Sequence, residues 1–189
     1  RRTMQPFIHL HVHTQYSILD GQASVQALVD KAIRDGMKGI AITDHGNMFG
    51  IKEFFNYVEK KNADTNKEIK SLKKEISALE ESGSDPEGLA SRKQQLETAK
   101  AKLFKPIIGC EMYVAHNRLT DKNGKQDQSG YHLILLAKNQ QGYHNLIKLV
   151  SKGWTEVFYM RPRTVQTALE TYHEGLIVCS ACLGCEIPK

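Results

Sequence analysis

The hydrophobic periodicity of residues 1–46 changes twice, and this change restricts the possible fold more than any other feature. Apolar residues and histidines alternate from Phe7 to Thr14, which predicts a strand. Ser24 then precedes an apolar stripe of helical spacing that ends at Gly36, and a short apolar run follows in KGIAITDHG. Together these segments predict a strand-helix-strand unit. The three histidines of the first strand are His9, His11 and His13.

The rest of the chain continues this alternation of strands and helices. Further strands are predicted in KPIIGCEMYVA, in residues 131–137 and in GLIVCSA, and helices in residues 143–151 and 164–172. Alternating strands and helices predict an α/β fold with a mostly parallel sheet, either open or closed into a barrel. In both architectures reactive groups gather at the carboxyl ends of the strands.

Residues 59–105 interrupt the α/β pattern with a segment rich in Lys, Glu, Ser and Gln. Apolar residues recur in it at three-four-three spacing on both sides of SGSDPEG, which predicts two antiparallel helices. Asp85 is the expected N-cap of the second helix and Pro86 its first residue. Acidic and basic residues nearly balance, so a solvated insertion is favoured over a nucleic-acid-binding arm.

Length and composition indicate one domain over residues 1–189, with 40% hydrophobic and 25% charged residues. No apolar run of about 20 residues and no signal peptide is visible, so we expect no membrane partner. The close set of Cys179, Cys182 and Cys185 is unlike the spread pairings of a secreted scaffold, so we expect a reducing, cytoplasmic setting. The net charge of +5 comes without a dense basic tract. No P-loop and no G-x-S-x-G motif occurs, which argues against nucleotide hydrolysis of the P-loop type.

His11 and His13 are the first candidates for a functional site, because two residues at alternate positions lie on one face of a strand. A polar stripe on a half-exposed strand would show the same alternation. A sheet covered on both faces would instead bury these imidazoles, and buried imidazoles need partners.

Other polar residues stand beside the later strands. Asp44 and His45 follow the second strand, although Asp44 could instead cap the next helix and His45 could be a loop residue. Glu111 interrupts an apolar run, where it either binds a partner or faces water at an edge. His132 begins a strand and Cys182 follows one, and each alone is more typical of a structural residue.

Two details of this pattern leave alternatives open. His132 lies at the entrance of its strand, so it can meet Glu111 only if their two strands are antiparallel. Cys179, Cys182 and Cys185 could suggest a thiolate site, but no fourth cysteine is near and Cys179 is expected in the core.

Nearly the whole chain resembles the PHP (polymerase and histidinol phosphatase) domain. The resemblance is closest to the branch at the N-terminus of the alpha subunit of bacterial DNA polymerase III, and it excludes only residues 59–105. TDHGNMFG and GYHNL favour the polymerase branch over the phosphatase branch. The other matching stretches are HLHVHTQYSILDG, KPIIGCEMYVA, YHLILLAKNQQGYHNLIKLVSKG, RPR and EGLIVCSACLGCEIP.

The resemblance implies a distorted TIM-like βα barrel of seven strands, here incomplete at its C-terminus, with residues 59–105 inserted as a helical hairpin. It adds Asp20, which spacing alone would assign to a turn. His9, Cys179 and Cys185 match no ligand position. The family pattern continues with an Asp and a His downstream, so we expect an incomplete site. The implied metal ligands are His11, His13, Asp20, His45, Glu111, His132 and Cys182.

The implied chemistry is metal-dependent phosphoester hydrolysis, with 3′-to-5′ exonuclease trimming of DNA as its form in proofreading. Imidazole, carboxylate and thiolate ligands suit a multinuclear site of Zn²⁺, or of Mn²⁺ or Fe. Glu111, His11 and His13 would act through the bound metals.

The resemblance also implies a parent protein that is a DNA-directed DNA polymerase, a nucleotidyltransferase of DNA replication. Its palm, fingers and thumb are absent here, so this chain should not polymerise DNA by itself. The expected partners are the rest of the polymerase alpha chain, DNA, a proofreading exonuclease subunit and other replisome subunits. One alternative is a non-catalytic scaffold that stabilises the polymerase and docks that exonuclease. A free-standing phosphatase for a small molecule is a third possibility.

Overall fold

A computed structural model of the chain describes residues 7–83, 85–115, 122, 124–127 and 130–183. These residues form six α-helices, one short 3₁₀ helix at Gly124–Asp127 and a sheet of five strands. The helices are α1 Val25–Arg34, α2 Ile51–Lys61, α3 Ala63–Ser82, α4 Pro86–Lys102, α5 Gln140–Thr155 and α6 Gln166–Tyr172. The strands are β1 Gly39–Ile42, β2 Lys105–Val114, β3 Tyr131–Ala137, β4 Arg163–Thr164 and β5 Leu176–Ser180. Within the described ranges, every helix is too short or too polar to cross a bilayer.

The sheet is mixed, so the prediction of a mostly parallel sheet is wrong. Its order is β1-β2-β3-β5, with β4 also paired to β2. β1 and β4 run parallel to β2, whereas β3 is antiparallel to both β2 and β5. A parallel pair needs a long crossover, usually a helix, but the described part of the β2–β3 connection holds only the 3₁₀ helix. The seven-stranded barrel stays a prediction.

Residues 7–14 follow β1 in parallel without forming the predicted regular strand. The backbone amides of Ala41 and Thr43 donate to the carbonyl oxygens of His9 and Val12, at 2.9 and 2.8 Å. The step from His9 to Val12 is three residues, whereas the step from Ala41 to Thr43 is two. The hydrogen-bond ladder between the two segments is therefore interrupted, as at a β-bulge. The amide of Val12 donates instead to the Thr43 hydroxyl, at 2.9 Å.

The helices α1, α2 and α5 cover one face of the sheet. The cap of α1 is as predicted, since the Ser24 hydroxyl accepts from the Ala27 amide at 3.2 Å. Two buried clusters lie under these helices, and burying their apolar area is the main stabilising contribution to the fold. One includes Val25, Val29, Ile40, Ile42, Phe54 and Val58, and the other Cys110, Met112, Leu135, Leu146 and Leu149.

The predicted helical hairpin is formed by α3 and α4. Asp85 caps α4 by accepting from the Gly88 amide at 2.8 Å, and Pro86 is the first helical residue, as predicted. Asn62 joins α2 to α3 and closes the base of the hairpin through two hydrogen bonds with the Phe104 backbone, at 2.8 and 3.0 Å. Residues 59–61 belong to α2, so the hairpin begins later than predicted. That it is an insertion stays a prediction.

The last two predicted helices differ from the structure at their boundaries. α5 begins three residues before the predicted Tyr143, because Asn139 accepts from the Gly142 amide at 2.9 Å and caps the helix there. The predicted helix 164–172 begins only at Gln166, since Arg163 and Thr164 pair with β2. Pairing in the sheet therefore decides where this helix starts.

Candidate metal centre

Glu111 stands on the face of the sheet opposite α1, α2 and α5. Side chains alternate along β2, so Cys110 and Met112 pack toward the helices while Glu111 points the other way. Its side chain is 1% exposed. An ionised carboxylate so deeply buried requires compensating partners.

Four imidazoles surround this carboxylate. Two histidines of the first segment contribute, with His13 Nε2 2.8 Å and His11 Nε2 3.5 Å from Glu111 Oε2. His45 Nδ1 lies 2.8 Å from the same oxygen, and His132 Nδ1 lies 2.9 Å from Oε1. The two carboxylate oxygens therefore face different sets of imidazoles.

The backbone explains how His45 and His132 reach Glu111. β1 continues past Ile42 alongside β2, and there the Glu111 amide donates to the Asp44 carbonyl at 3.1 Å and His45 pairs with Glu111. β3 runs antiparallel to β2, which places His132 opposite Tyr113 and on the face of Glu111. The antiparallel pairing predicted from the position of His132 is thus confirmed.

Although these imidazoles lie close to Glu111, their contacts with it lack hydrogen-bond geometry. Both carboxylate oxygens are buried without a hydrogen-bond partner among the described residues, and so is His45 Nδ1. Imidazole nitrogens and carboxylate oxygens that converge at these distances fit one or more metal ions held by these atoms.

Asp20 extends the cluster toward solvent. Its Oδ2 lies 2.9 Å from His45 Nε2 and 3.5 Å from His13 Nδ1, and its side chain is 50% exposed. His13 and His45 each have one nitrogen toward Glu111 and the other toward Asp20. Sequence spacing alone had suggested a turn residue here, and only the resemblance pointed to Asp20.

Cys182 stands at the margin of the cluster. It follows β5, and its Sγ lies 3.6 Å from His132 Nδ1. Within the described residues, three overlapping groups bring ligand atoms within 4.8 Å of one another, and Cys182 is in none of them. The groups are His11-His13-Glu111, His13-Asp20-His45 and His45-Glu111-His132.

The structure therefore brings six of the seven proposed ligands together, with Cys182 adjacent. Their role as ligands stays a prediction. His9 lies outside these groups, and Cys179 packs against a small apolar cluster with Ile134 and Leu136. Cys185 lies outside the described residues.

Asp44 supports the cluster from beneath. It is 2% exposed and accepts from the Thr14 amide at 2.6 Å, the Thr14 hydroxyl at 2.8 Å and the Ser17 hydroxyl at 2.8 Å. The alternative that Asp44 caps the next helix is wrong, because Gly50 is the N-cap of α2. Asp44 instead ties the segment of His13 to the loop that carries Asp20.

The electrostatics of the cluster favour ionised carboxylates. Burial raises the pKa of Glu111, but the imidazoles of His13, His132 and His45 outweigh it and hold this pKa well below its usual range. Burial also raises the pKa of Asp20, and His45 and His13 lower it by more. The Glu111 carboxylate raises the pKa of His45 against the opposing effect of burial.

Sequence reasoning missed several residues around the cluster. The Tyr113 ring stacks on His45 at 5.8 Å and meets the edge of His132 at 5.1 Å, and its hydroxyl accepts from Arg161 Nη1 at 2.7 Å. The alternation of β2 could have placed Tyr113 on the face of Glu111. Arg161 belongs to the stretch RPR, to which sequence alone assigns no role.

Comparisons with known proteins identify the family of the chain. A family model described as PHP domain matches residues 9–189. The DNA polymerase III subunit alpha of Borreliella burgdorferi is 42% identical over 186 residues, that of Treponema pallidum 38% over 183, and that of Thermus aquaticus 37% over 187. These matches cover 96–97% of the chain but 12% of each relative, so the chain spans about one-eighth of their length. Because the family model matches residues 9–189, which is most of the chain, the chain belongs to the PHP domain family.

Proposed function

We propose that the chain is a metal-dependent phosphoesterase domain that hydrolyses phosphodiester bonds at the 3′ end of DNA. The observation that carries this proposal is the buried Glu111 carboxylate, whose oxygens lie 2.8–3.5 Å from the nitrogens of four imidazoles. When bound, zinc, manganese or iron would supply Lewis acidity to a phosphate and lower the pKa of the attacking water.

The residues of the chain would have different roles in such a site. Glu111 has imidazoles near both of its carboxylate oxygens, so it would hold metal together with them. His13 and His45 lie between Glu111 and the more exposed Asp20, and His11 and His132 contact Glu111. Cys182 and the downstream Asp and His of the family pattern would complete the ligand set. The catalytic assignment rests on Glu111, His11 and His13.

We further propose that the chain is the N-terminal domain of a DNA polymerase III alpha subunit. The relatives that carry this name support the proposal, and 88 curated proteins match this chain. The parent protein would then be a cytoplasmic nucleotidyltransferase of DNA replication. Its partners would be DNA, a proofreading exonuclease subunit and other replisome subunits. The seven-stranded barrel and the insertion at residues 59–105 belong to the same proposal.

The decisive experiment combines metal analysis with a nuclease assay on the full-length product of the reading frame that encodes this chain. We expect bound metal by mass spectrometry, and metal-dependent release of nucleotides from 3′-labelled single-stranded DNA. Glu111→Gln and His13→Ala should each lower the rate more than about 100-fold, since ligand loss exceeds the effect of outer-shell changes. His9→Ala, in the same segment but outside the cluster, should stay within twofold.

The alternative function is a non-catalytic scaffold for the polymerase and its exonuclease. Stoichiometric metal without any metal-dependent hydrolysis would contradict the enzymatic proposal and favour this alternative. Loss of exonuclease-subunit binding in His13→Ala, measured by pull-down, would then support the scaffold. Absence of metal would refute the metal centre itself.

A further inference from the structure

A cavity of about 680 Å³ opens above the cluster, and one of its walls is aromatic. Phe49 precedes α2, Trp154 is in the last turn of α5, and Phe158 follows that helix. Their side chains line the same cavity as Glu111 and His132. We call these three residues the aromatic wall.

The rings of the aromatic wall form a continuous series. The Trp154 and Phe158 rings stack with centroids 5.5 Å apart at 25°, and the Phe49 ring lies 5.9 Å from Trp154 at 41°. Trp154 Nε1 donates to the Gly46 carbonyl at 2.8 Å, and this hydrogen bond fixes the indole next to His45. The wall is therefore held by the same backbone that positions a candidate ligand.

These rings remain accessible although they are apolar. Phe49 is 63%, Phe158 45% and Trp154 42% exposed. Three adjacent exposed aromatic rings form an apolar patch of a kind that commonly marks a binding surface. Because the patch borders the metal centre, its ligand would reach the cluster as well.

Arg161 supplies a positive charge in the same cavity. Its guanidinium lies 4.8 Å over the Tyr113 ring and donates one hydrogen bond to the Tyr113 hydroxyl. Among the cavity-lining residues that the structure describes, it is the one with a permanent positive charge. A guanidinium has five N–H donors, so it can hold a phosphate while it keeps the bond to Tyr113.

From this arrangement we infer that the aromatic wall stacks the unpaired bases at the end of a nucleic-acid strand, while Arg161 binds a phosphate of the same strand. Stacking platforms combined with positive charge are the usual means of holding single strands without sequence preference. The inference rests on the proposed function and names its substrate as an unpaired strand end. A small sugar phosphate would leave the wall without a contact.

The test compares two oligonucleotides that carry the same phosphates. One is single-stranded DNA with ordinary bases, and the other has abasic residues at its last three 3′ positions. Binding to the full-length product is measured by fluorescence anisotropy in EDTA, so that hydrolysis plays no part. The wild type should prefer the ordinary end by about 5- to 150-fold for each stacked base.

The variants Phe158→Ala and Phe49→Ala should each reduce this preference by at least about fivefold, with little effect on the abasic strand. Phe158→Trp should restore it. The matched control is Phe55→Ala, since Phe55 is also 45% exposed but lines another groove. Arg161→Gln should lower the affinity for both strands by similar factors, because both strands carry the phosphate.

An equal affinity of the wild type for the two strands, or a preference unchanged in Phe158→Ala and Phe49→Ala, would overturn the inference. The second result would favour a protein segment as the occupant of the wall. Both results concern binding alone, so they leave the hydrolytic proposal standing. Conversely, a preference for the strand with ordinary bases, without any hydrolysis after metal is added back, would refute the proposed activity. The inference that the aromatic wall stacks bases would then still stand.

Discussion

Asp44 receives two hydrogen bonds from Thr14, one from the backbone amide at 2.6 Å and one from the hydroxyl at 2.8 Å. Ser17 donates a third, at 2.8 Å. These bonds join the end of β1 to the segment between His13 and Asp20. The position of two proposed ligands therefore depends on a residue that binds no metal in our assignment.

Asp44→Ala is expected to destabilise the fold and to weaken metal binding. The change leaves three buried donors without an acceptor, so we expect a loss of about 2–4 kcal/mol in the free energy of unfolding. Urea denaturation measures the stability and isothermal titration with Zn²⁺ measures the affinity. Asp64→Ala removes a carboxylate that is 99% exposed, and its cost should stay below about 1 kcal/mol. Equal effects of the two substitutions would contradict a structural role of Asp44.

Metal is expected to move the pH of maximum stability upward. The pKa of His45 is raised above its ordinary 6.5, so in metal-free protein its stabilising contribution is complete below pH 6.5 and is lost as pH rises through the raised value. The pKa values of Glu111 and Asp20 are lowered from 4.5 and 3.8, so their contributions are complete above these values and are lost in stronger acid. Both kinds of contribution are thus present between pH 4.5 and 6.5.

Bound zinc has the opposite requirement, because its imidazole ligands must be neutral. We therefore expect zinc to raise the melting temperature, relative to EDTA, and to raise it more as pH rises past the ordinary pKa range of histidine. Thermal unfolding between about pH 4.5 and 8.5 measures this difference. His9→Ala should reproduce both curves. A zinc-dependent gain that is constant with pH would contradict the assignment of imidazole ligands.

Leu72→Ala is expected to loosen the helical hairpin without affecting the metal centre. Leu72 is 7% exposed in a seam with Ile69 and Ala99, and its truncation should cost about 2–3 kcal/mol of local stability. Hydrogen exchange should accelerate in α3 and α4 while the metal content stays unchanged.

The matched control for this change is Glu75→Ala. Glu75 pairs with Arg92 across the same seam at 2.8 Å, but both side chains are more than 40% exposed, so we expect a cost below about 1 kcal/mol. A larger effect from Glu75→Ala than from Leu72→Ala would show that ion pairs, and not the apolar seam, hold the hairpin.

Gly142→Ala is expected to destabilise the packing of α5. A Cβ atom at this position would lie 1.8 Å from the carbonyl oxygen of Gly175, so the backbones must separate. We expect a loss of about 2–3 kcal/mol, measured from the urea midpoint. In the same helix, a Cβ at Gly153 would meet its nearest atom at 3.2 Å, and Gly153→Ala should change stability by less than about 1 kcal/mol. Similar midpoints for the two variants would refute the close approach at Gly142.

Features that depend on neighbouring residues were predictable from the sequence. The caps at Ser24 and Asp85 form hydrogen bonds three residues away, so their pattern is visible in a short window. The position of His132 at the start of its strand also pointed to an antiparallel pairing of β2 and β3 as the condition for a contact with Glu111. Local spacing and polarity carried both inferences.

Features that depend on distant partners were not predictable in this way. Residues 7–14 have the alternation of a strand, but the Thr43 hydroxyl and the Asp44 carboxylate take two of their amides. The antiparallel pairing of β5 with β3 was not predicted, because an apolar run does not identify which strand it will pair with. The aromatic wall combines Phe49 with residues more than 100 positions away.

The sequence by itself determined which chemistry is available, because histidines and carboxylates at strand positions and the family resemblance pointed to metal ligands. It also determined that the predicted helices form and that Ser24 and Asp85 cap two of them, since both depend on residues a few positions apart. Only the tertiary structure decided that the Glu111 carboxylate is buried from solvent and contacts four imidazoles. Pairing between β1, β2 and β3 brings together residues separated by up to 121 positions. The physical reason is that the free energy of a buried charge depends on the groups around it, and these groups come from distant parts of the chain.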